Sequence, residues 1–87
     1  MKSNDSEYEI SIVWDSVISK IRLAPARAFI GNVCTLVNFD GTSALVQCKS
    51  DWYNKIQHDL PIITTAFNDV FRRPITVSLC PEKPTNF

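Results

Sequence analysis

The residues of this chain that could carry out chemistry are few, and they form no catalytic pattern. His58 is the single histidine among 87 residues, and two glycines, Gly31 and Gly41, cannot supply a phosphate loop or a dinucleotide-binding fingerprint. The three cysteines contain no C-x-x-C spacing, so nothing gathers metal ligands around His58. No G-x-S-x-G elbow supports a serine nucleophile. We therefore expect no enzymatic activity, cofactor, metal or small-molecule substrate.

Two adjacent aromatic residues, Trp52 and Tyr53, are the candidates for binding a partner. They follow Ser50-Asp51, which has the residue types that begin a helix. Neighbouring positions of a helix project in different directions, so both rings cannot face the core and one should be partly exposed. Exposed aromatic side chains are enriched at protein interfaces. The alternative is that both rings only shield the edge of a small core.

A group of basic residues forms a second candidate site. They lie near the ends of the predicted first and third helices and at the start of the second, and could bind phosphate if those ends converge. Nine basic and nine acidic residues cancel, so no overall field attracts nucleic acid. The alternative is that cations simply favour helix C-termini. The group comprises Lys20, Arg22, Arg27, Arg72 and Arg73, of which Arg27, Arg72 and Arg73 are the predicted nucleic-acid contacts.

Three helices are predicted from apolar residues at helical spacing. The first covers residues 7–22 and begins at a Ser6/Glu9 capping box. The second covers residues 25–30, begins at a proline and ends at Gly31-Asn32. The third runs from residue 50 to residue 71, and Pro61 either kinks it or separates two helices. The apolar phase is the same on both sides of Pro61, which favours a kink.

Three strands are predicted, the first two as a hairpin over residues 33–48. Asp40-Gly41 indicates a two-residue type I′ turn, which pairs Phe39 with Thr42. This register places Cys34 and Cys48 on opposite faces, so they should not pair, and all three cysteines are expected to be reduced. The third strand covers residues 75–79 and alternates cleanly. The predicted buried face of the hairpin contains Val33, Val37, Phe39, Ala44, Val46 and Cys48, with Leu36 and Leu45 on the other face.

These elements predict an α+β domain in the order α-α-β-β-α-β, with helices on one face of a three-stranded sheet. We expect one domain over residues 7–80 between disordered segments at 1–6 and 81–87. No apolar run reaches the ~20 residues of a membrane span, and the N-terminus lacks the apolar region of a signal peptide. A cytoplasmic protein without membrane contacts is therefore predicted.

Several short motifs, in order, give the chain a family resemblance. It resembles the C-terminal domain of the tau subunit of bacterial DNA polymerase III, in its cyanobacterial form, and more distantly the N-terminal domain of the replication initiator DnaA. The resemblance covers about three quarters of the chain. Its motifs are Trp14-Asp15-Ser16-Val17, Ala24-Pro25-Ala26-Arg27-Ala28-Phe29, Phe39-Asp40-Gly41 with alternating Ala44, Val46 and Cys48, Lys55-Ile56-Gln57, Leu60-Pro61, Ala66-Phe67 and Arg73-Pro74-Ile75-Thr76-Val77.

The resemblance implies a KH-like, non-catalytic module that binds other replication proteins. In tau this region links the clamp loader to the polymerase or the helicase. The expected partner is therefore the polymerase III alpha subunit or the replicative helicase. No part of this sequence corresponds to the ATPase part of tau. The DnaA relative implies helicase binding or self-association, with Trp52 at the position of its partner-binding aromatic residue. KH domains bind RNA through a G-x-x-G loop that this sequence lacks. Nucleic-acid binding through the arginines is therefore the weaker alternative.

Overall fold

Four helices and a three-stranded sheet make up residues 8–82, the part of the chain that the computed structural model describes. The helices pack on the sheet, so the predicted α+β class and order of elements are confirmed. The proposed domain limits, and disorder outside them, stay a prediction. The helices are α1 (Ile10–Ser19), α2 (Ala24–Val33), α3 (Tyr53–His58) and α4 (Leu60–Phe71), and the strands are β1 (Cys34–Phe39), β2 (Ser43–Cys48) and β3 (Thr76–Pro81).

Strand β2 lies in the centre of the sheet, antiparallel to β1 and parallel to β3. A parallel pair needs a long crossover connection, which α3 and α4 provide. Val46 in β2 is fully buried and lies opposite Leu36 on one side and Leu79 on the other. Helices α1 and α4 cover this face and contact each other, with Phe67 fully buried beneath them.

The predicted register of the hairpin is wrong. Phe39 pairs with Ala44 rather than Thr42, and a bulge at Val37 interrupts the pairing between Leu36 and Asn38. Because the bulge adds one residue to β1, Leu36 and Phe39 both face the core, whereas Val37 faces solvent and is 47% exposed. The predicted burial is therefore correct for Phe39 and for the β2 residues Ala44, Val46 and Cys48. It is wrong for Val37, and Leu36 is buried instead.

The turn of the hairpin explains the change of register. The Asp40 carboxylate accepts hydrogen bonds from the backbone N–H groups of Thr42 and Ser43, at 2.9 and 2.8 Å. The N–H of Asp40 also donates to the carbonyl of Ser43 at 3.1 Å, so the turn encloses Gly41 and Thr42 rather than the predicted Asp40 and Gly41. A type I′ turn would require positive φ at both central residues. Here only Gly41 has positive φ, at 100°.

The first two helices end elsewhere than predicted. Helix α1 begins at Ile10, and Glu9 precedes it without a side-chain capping bond; Ser6 lies outside the described residues. It ends at Ser19 rather than residue 22. Helix α2 continues through Gly31-Asn32 to Val33, because helical hydrogen bonding persists until the N–H of Cys34 donates to the carbonyl of Ile30. Glycine is tolerated within a helix when packing fixes its conformation.

The third predicted helix is split into two, so the preference for a kink is wrong. A 3₁₀ turn (Ser50–Trp52) leads into α3, and Asp59 separates α3 from α4. The N–H groups of Ile62 and Ile63 both donate to the carbonyl of Asp59, which begins a new helix. Pro61 lacks an N–H group and is well accommodated in this first turn.

Candidate protein-docking site

Trp52 and Tyr53 are divided between surface and core, as expected for adjacent helix-start residues. Trp52 ends the 3₁₀ turn and is 45% exposed. Its ring meets the ring of Phe29 on α2 edge-on, with centroids 5.2 Å apart and an interplanar angle of 90°. Tyr53 is half-buried against the core, and its hydroxyl accepts a hydrogen bond from the Gln57 side chain. Of the pair, Trp52 is the ring that a partner can reach.

The exposed face of Trp52 opens onto a groove between α2, α3 and the start of α4, which we call the Trp52 groove. Its volume is about 470 Å³ and its walls are mostly apolar. Leu23, in the turn before α2, stands at one end and is 64% exposed. A large exposed leucine beside an exposed tryptophan is typical of a binding surface. The groove is lined by Leu23, Pro25, Ala26, Phe29, Trp52, Lys55, Asp59 and Ile62.

A second apolar cleft, the Leu23 channel, continues the Trp52 groove. Leu23 and Ile62 line both, so the two share a wall. The channel runs between the turn after α1 and the exposed side of α4, and has a volume of about 400 Å³. The two clefts therefore adjoin, and both have mostly apolar walls. The remaining residues of the channel are Lys20, Ile21, Arg22, Pro61, Thr65, Ala66 and Asp69.

The charges within the Trp52 groove neutralise each other. Lys55 Nζ lies 2.9 Å from a carboxylate oxygen of Asp59, one helical turn away. The same ammonium group lies 5.7 Å from the centre of the Phe29 ring. The Lys55 side chain is 56% exposed, and ion pairs with an exposed partner add little to stability. Their consequence here is that the aromatic end of the surface presents apolar area without net charge.

Several of the predicted basic residues converge at the other end of the channel. They line a polar depression of about 500 Å³, the basic depression, between the end of α1, the start of α2 and the end of α4. Arg27 is fixed there, because its Nη1 donates to the carbonyl of Ile21 at 2.8 Å. Arg72 ends α4 in the left-handed conformation, with φ at 59°. Arg73 does not line the depression. The charged lining residues are Lys20, Arg22, Arg27, Asp69 and Arg72.

The basic depression has an excess of positive charge. It contains four cations and one carboxylate, Asp69. Within residues 8–82, the one ion pair between side chains is that of Lys55 and Asp59. The four cations therefore have no carboxylate at ion-pair distance in this range. This concentrates a local positive field in a chain whose net charge is zero.

Two of the three cysteines, Cys34 and Cys48, lie in the core. Cys34 and Cys48 are direct partners across β1 and β2, so the expectation that they face opposite sides is wrong. Both are buried free thiols. Burial raises the pKa of the Cys34 thiol to about 12, and burial also raises the pKa of Cys48. A thiol held in this way is a poor nucleophile and a poor metal ligand.

The described part of the chain also lacks other common site types. Between residues 8 and 82, no three His, Cys, Asp or Glu side chains are grouped as a metal site. No helix in this range has the length and apolar character needed to cross a bilayer.

Sequence reasoning found Trp52 and most of the basic residues but missed the apolar surface that joins them. Leu23 lies in the turn before α2, Phe29 in α2 and Ile62 in α4, and each has the pattern of an ordinary helix or turn residue. The one available signal was Leu23, an apolar side chain placed between two predicted helices.

A small α+β fold with an aromatic and apolar groove on its surface fits the class of DnaA N-terminal-like interaction domains. A family model described as "STICHEL, DnaA_N-like alpha-beta domain" matches residues 1–80, and the chain belongs to this family. Membership in a DnaA_N-like family indicates a replication-related protein-interaction domain. No curated protein and no solved structure matches the chain.

Proposed function

We propose that this chain is a non-catalytic interaction module of the bacterial replisome that acts as the tau C-terminal domain does, joining the clamp loader to the polymerase III alpha subunit or to the replicative helicase. A cytoplasmic location and the absence of enzymatic activity are part of this proposal. The exposed Trp52 carries it, because its ring lies in an apolar groove with no catalytic group at hand. Large aromatic anchors of this kind supply much of the binding energy at interfaces.

The test is binding of the purified chain to purified alpha subunit and to purified helicase, with wild type compared with Trp52→Ala. Truncating an interface anchor costs about 2 kcal/mol or more, a weakening of about thirtyfold. The melting temperature should change little, because the ring is half-exposed and loses mainly its edge-on contact with Phe29. Ile12→Ala is the matched control, since Ile12 is 62% exposed but lies on α1, away from the groove.

The outcomes separate the possible roles. Binding of the alpha subunit that depends on Trp52 supports the tau-like role. Binding of the helicase alone, or self-association seen by sedimentation, favours the DnaA-like alternative. If neither protein binds, or if Trp52→Ala and Ile12→Ala behave alike, the proposal is wrong.

Nucleic-acid binding is the second candidate, favoured by the convergence of Arg27 and Arg72 in the basic depression. It predicts a gel shift at low salt, with an affinity that falls steeply as salt is raised. Arg73 is part of the predicted set but does not line the depression with the other two. Absence of a shift at low salt would remove this candidate.

A further inference from the structure

The Trp52 groove, the Leu23 channel and the basic depression adjoin one another in that order, and the lining changes from apolar to basic along them. Leu23 and Ile62 join the first two, and Lys20, Arg22 and Asp69 line both the channel and the depression. A ligand lying along the channel therefore meets aromatic and apolar area at one end and positive charge at the other.

We propose that the occupant of this surface is an amphipathic, acidic segment of a partner protein, with apolar side chains on Leu23 and Ile62 and carboxylates over the basic depression. The inference rests on the proposed function as a protein-binding module and adds the chemistry of the segment that is bound. Its basis is charge complementarity, because the cations that edge the channel have no carboxylate partner within residues 8–82.

The two ends of the surface differ in whether their cations are already paired within the chain. At the aromatic end the single cation, Lys55, is paired with Asp59 in the chain itself. At the basic end, Lys20, Arg22 and Arg72 are exposed, and Arg27 is held in place by its bond to the carbonyl of Ile21. An anchored arginine loses less conformational freedom when it binds a carboxylate, so it offers a prepared contact.

An acidic peptide fits this surface better than a nucleic acid does. The depression carries no aromatic ring on which a base could stack, and single-strand binding sites combine basic grooves with such rings. Its neighbour is an apolar channel, whereas a duplex presents a charged surface on all sides.

The experiment uses two synthetic peptides with the same leucine-bearing apolar face. One carries glutamates at one end and the other carries glutamines at the same places. We expect the glutamate peptide to bind wild type about tenfold more tightly at low salt, since several exposed ion pairs each add a small factor. Amide chemical shifts in an isotope-labelled sample should change around both the channel and the basic depression.

Three charge-reversal variants test whether the basic depression is the part of the surface that binds the glutamates. Arg72→Glu should abolish the preference for the glutamate peptide, whereas Arg73→Glu should keep it, because Arg73 is adjacent in sequence but does not line the depression. Arg22→Glu, in the turn after α1, gives a second variant should the left-handed end of α4 not tolerate the change. Melting temperatures of all three report on folding.

The results that contradict the inference are distinct from those that contradict the proposed function. Equal affinity for both peptides, with both still weakened by Trp52→Ala, removes the acidic assignment and leaves the docking role intact. Loss of the preference in Arg73→Glu as in Arg72→Glu has the same effect. Binding of oligothymidylate that needs Arg72, without a preference between the peptides, assigns the depression to nucleic acid instead.

Discussion

Replacing Val46 by aspartate tests the core of the fold and the register of the hairpin together. Val46 is fully buried in the central strand, opposite Leu36 on β1 and Leu79 on β3. Neither neighbour can pair with a carboxylate. The substitution loses about 1.5–3 kcal/mol of apolar burial and adds a cost of several kcal/mol for an unpaired buried carboxylate.

The margin of stability decides the outcome. A domain of this size has a free energy of unfolding of roughly 5 kcal/mol, so the two losses together equal or exceed it. We expect Val46→Asp to be unfolded at neutral pH, with the helical circular dichroism signal lost at room temperature.

Val37→Asp is the matched control, with the same substitution in the same hairpin. Val37 is the bulge residue and is 47% exposed on the face away from the helices. Surface changes of this kind cost less than about 1 kcal/mol, so the variant should melt cooperatively near wild type in urea. A hairpin without the bulge would place Val37 and Val46 on one face. Equal destabilisation by the two substitutions, or a wild-type melt of Val46→Asp, would therefore refute the observed register.

Two further predictions concern the turn of the same hairpin. Gly41→Ala should lower the free energy of unfolding by about 2 kcal/mol in urea titrations, because Gly41 has φ at 100° and an added Cβ would lie 2.9 Å from the Tyr8 hydroxyl oxygen; an unchanged midpoint would contradict this close packing. Asp40→Asn should flatten the acid dependence of the melting temperature. Backbone hydrogen bonds lower the pKa of Asp40 from 3.8 to about 2. Its carboxylate therefore stabilises the fold fully above pH 3.8 and loses that contribution as the pH falls towards 2. An Asp40→Asn variant with the same acid dependence as wild type would show that Asp40 is not the group responsible.

The sequence by itself determined the kinds of element and their order. Helical stripes, the helix-starting Pro25, the Asp40-Gly41 turn and the alternation in the last strand are local signals, each read over a few residues. They also separated Trp52 from Tyr53, since neighbouring helical positions cannot share a face. The family membership agrees with the DnaA part of the resemblance that these motifs carry.

The tertiary structure alone decided the register, the division of the third helix and the shape of the docking surface. The bulge at Val37 lets Leu36 and Phe39 both reach the core from a strand whose turn is fixed by the Asp40 side chain. Alternation of apolar and polar residues cannot reveal such a shift, because it shows only which residues of one strand share a face. It does not show where an extra residue exchanges the two faces. The Trp52 groove also depends on the tertiary structure, since Leu23 and Ile62 come to line one cleft with Trp52 only after the chain has folded. Periodicity states which side of a helix is apolar, but which helix ends come together depends on packing between distant parts of the chain.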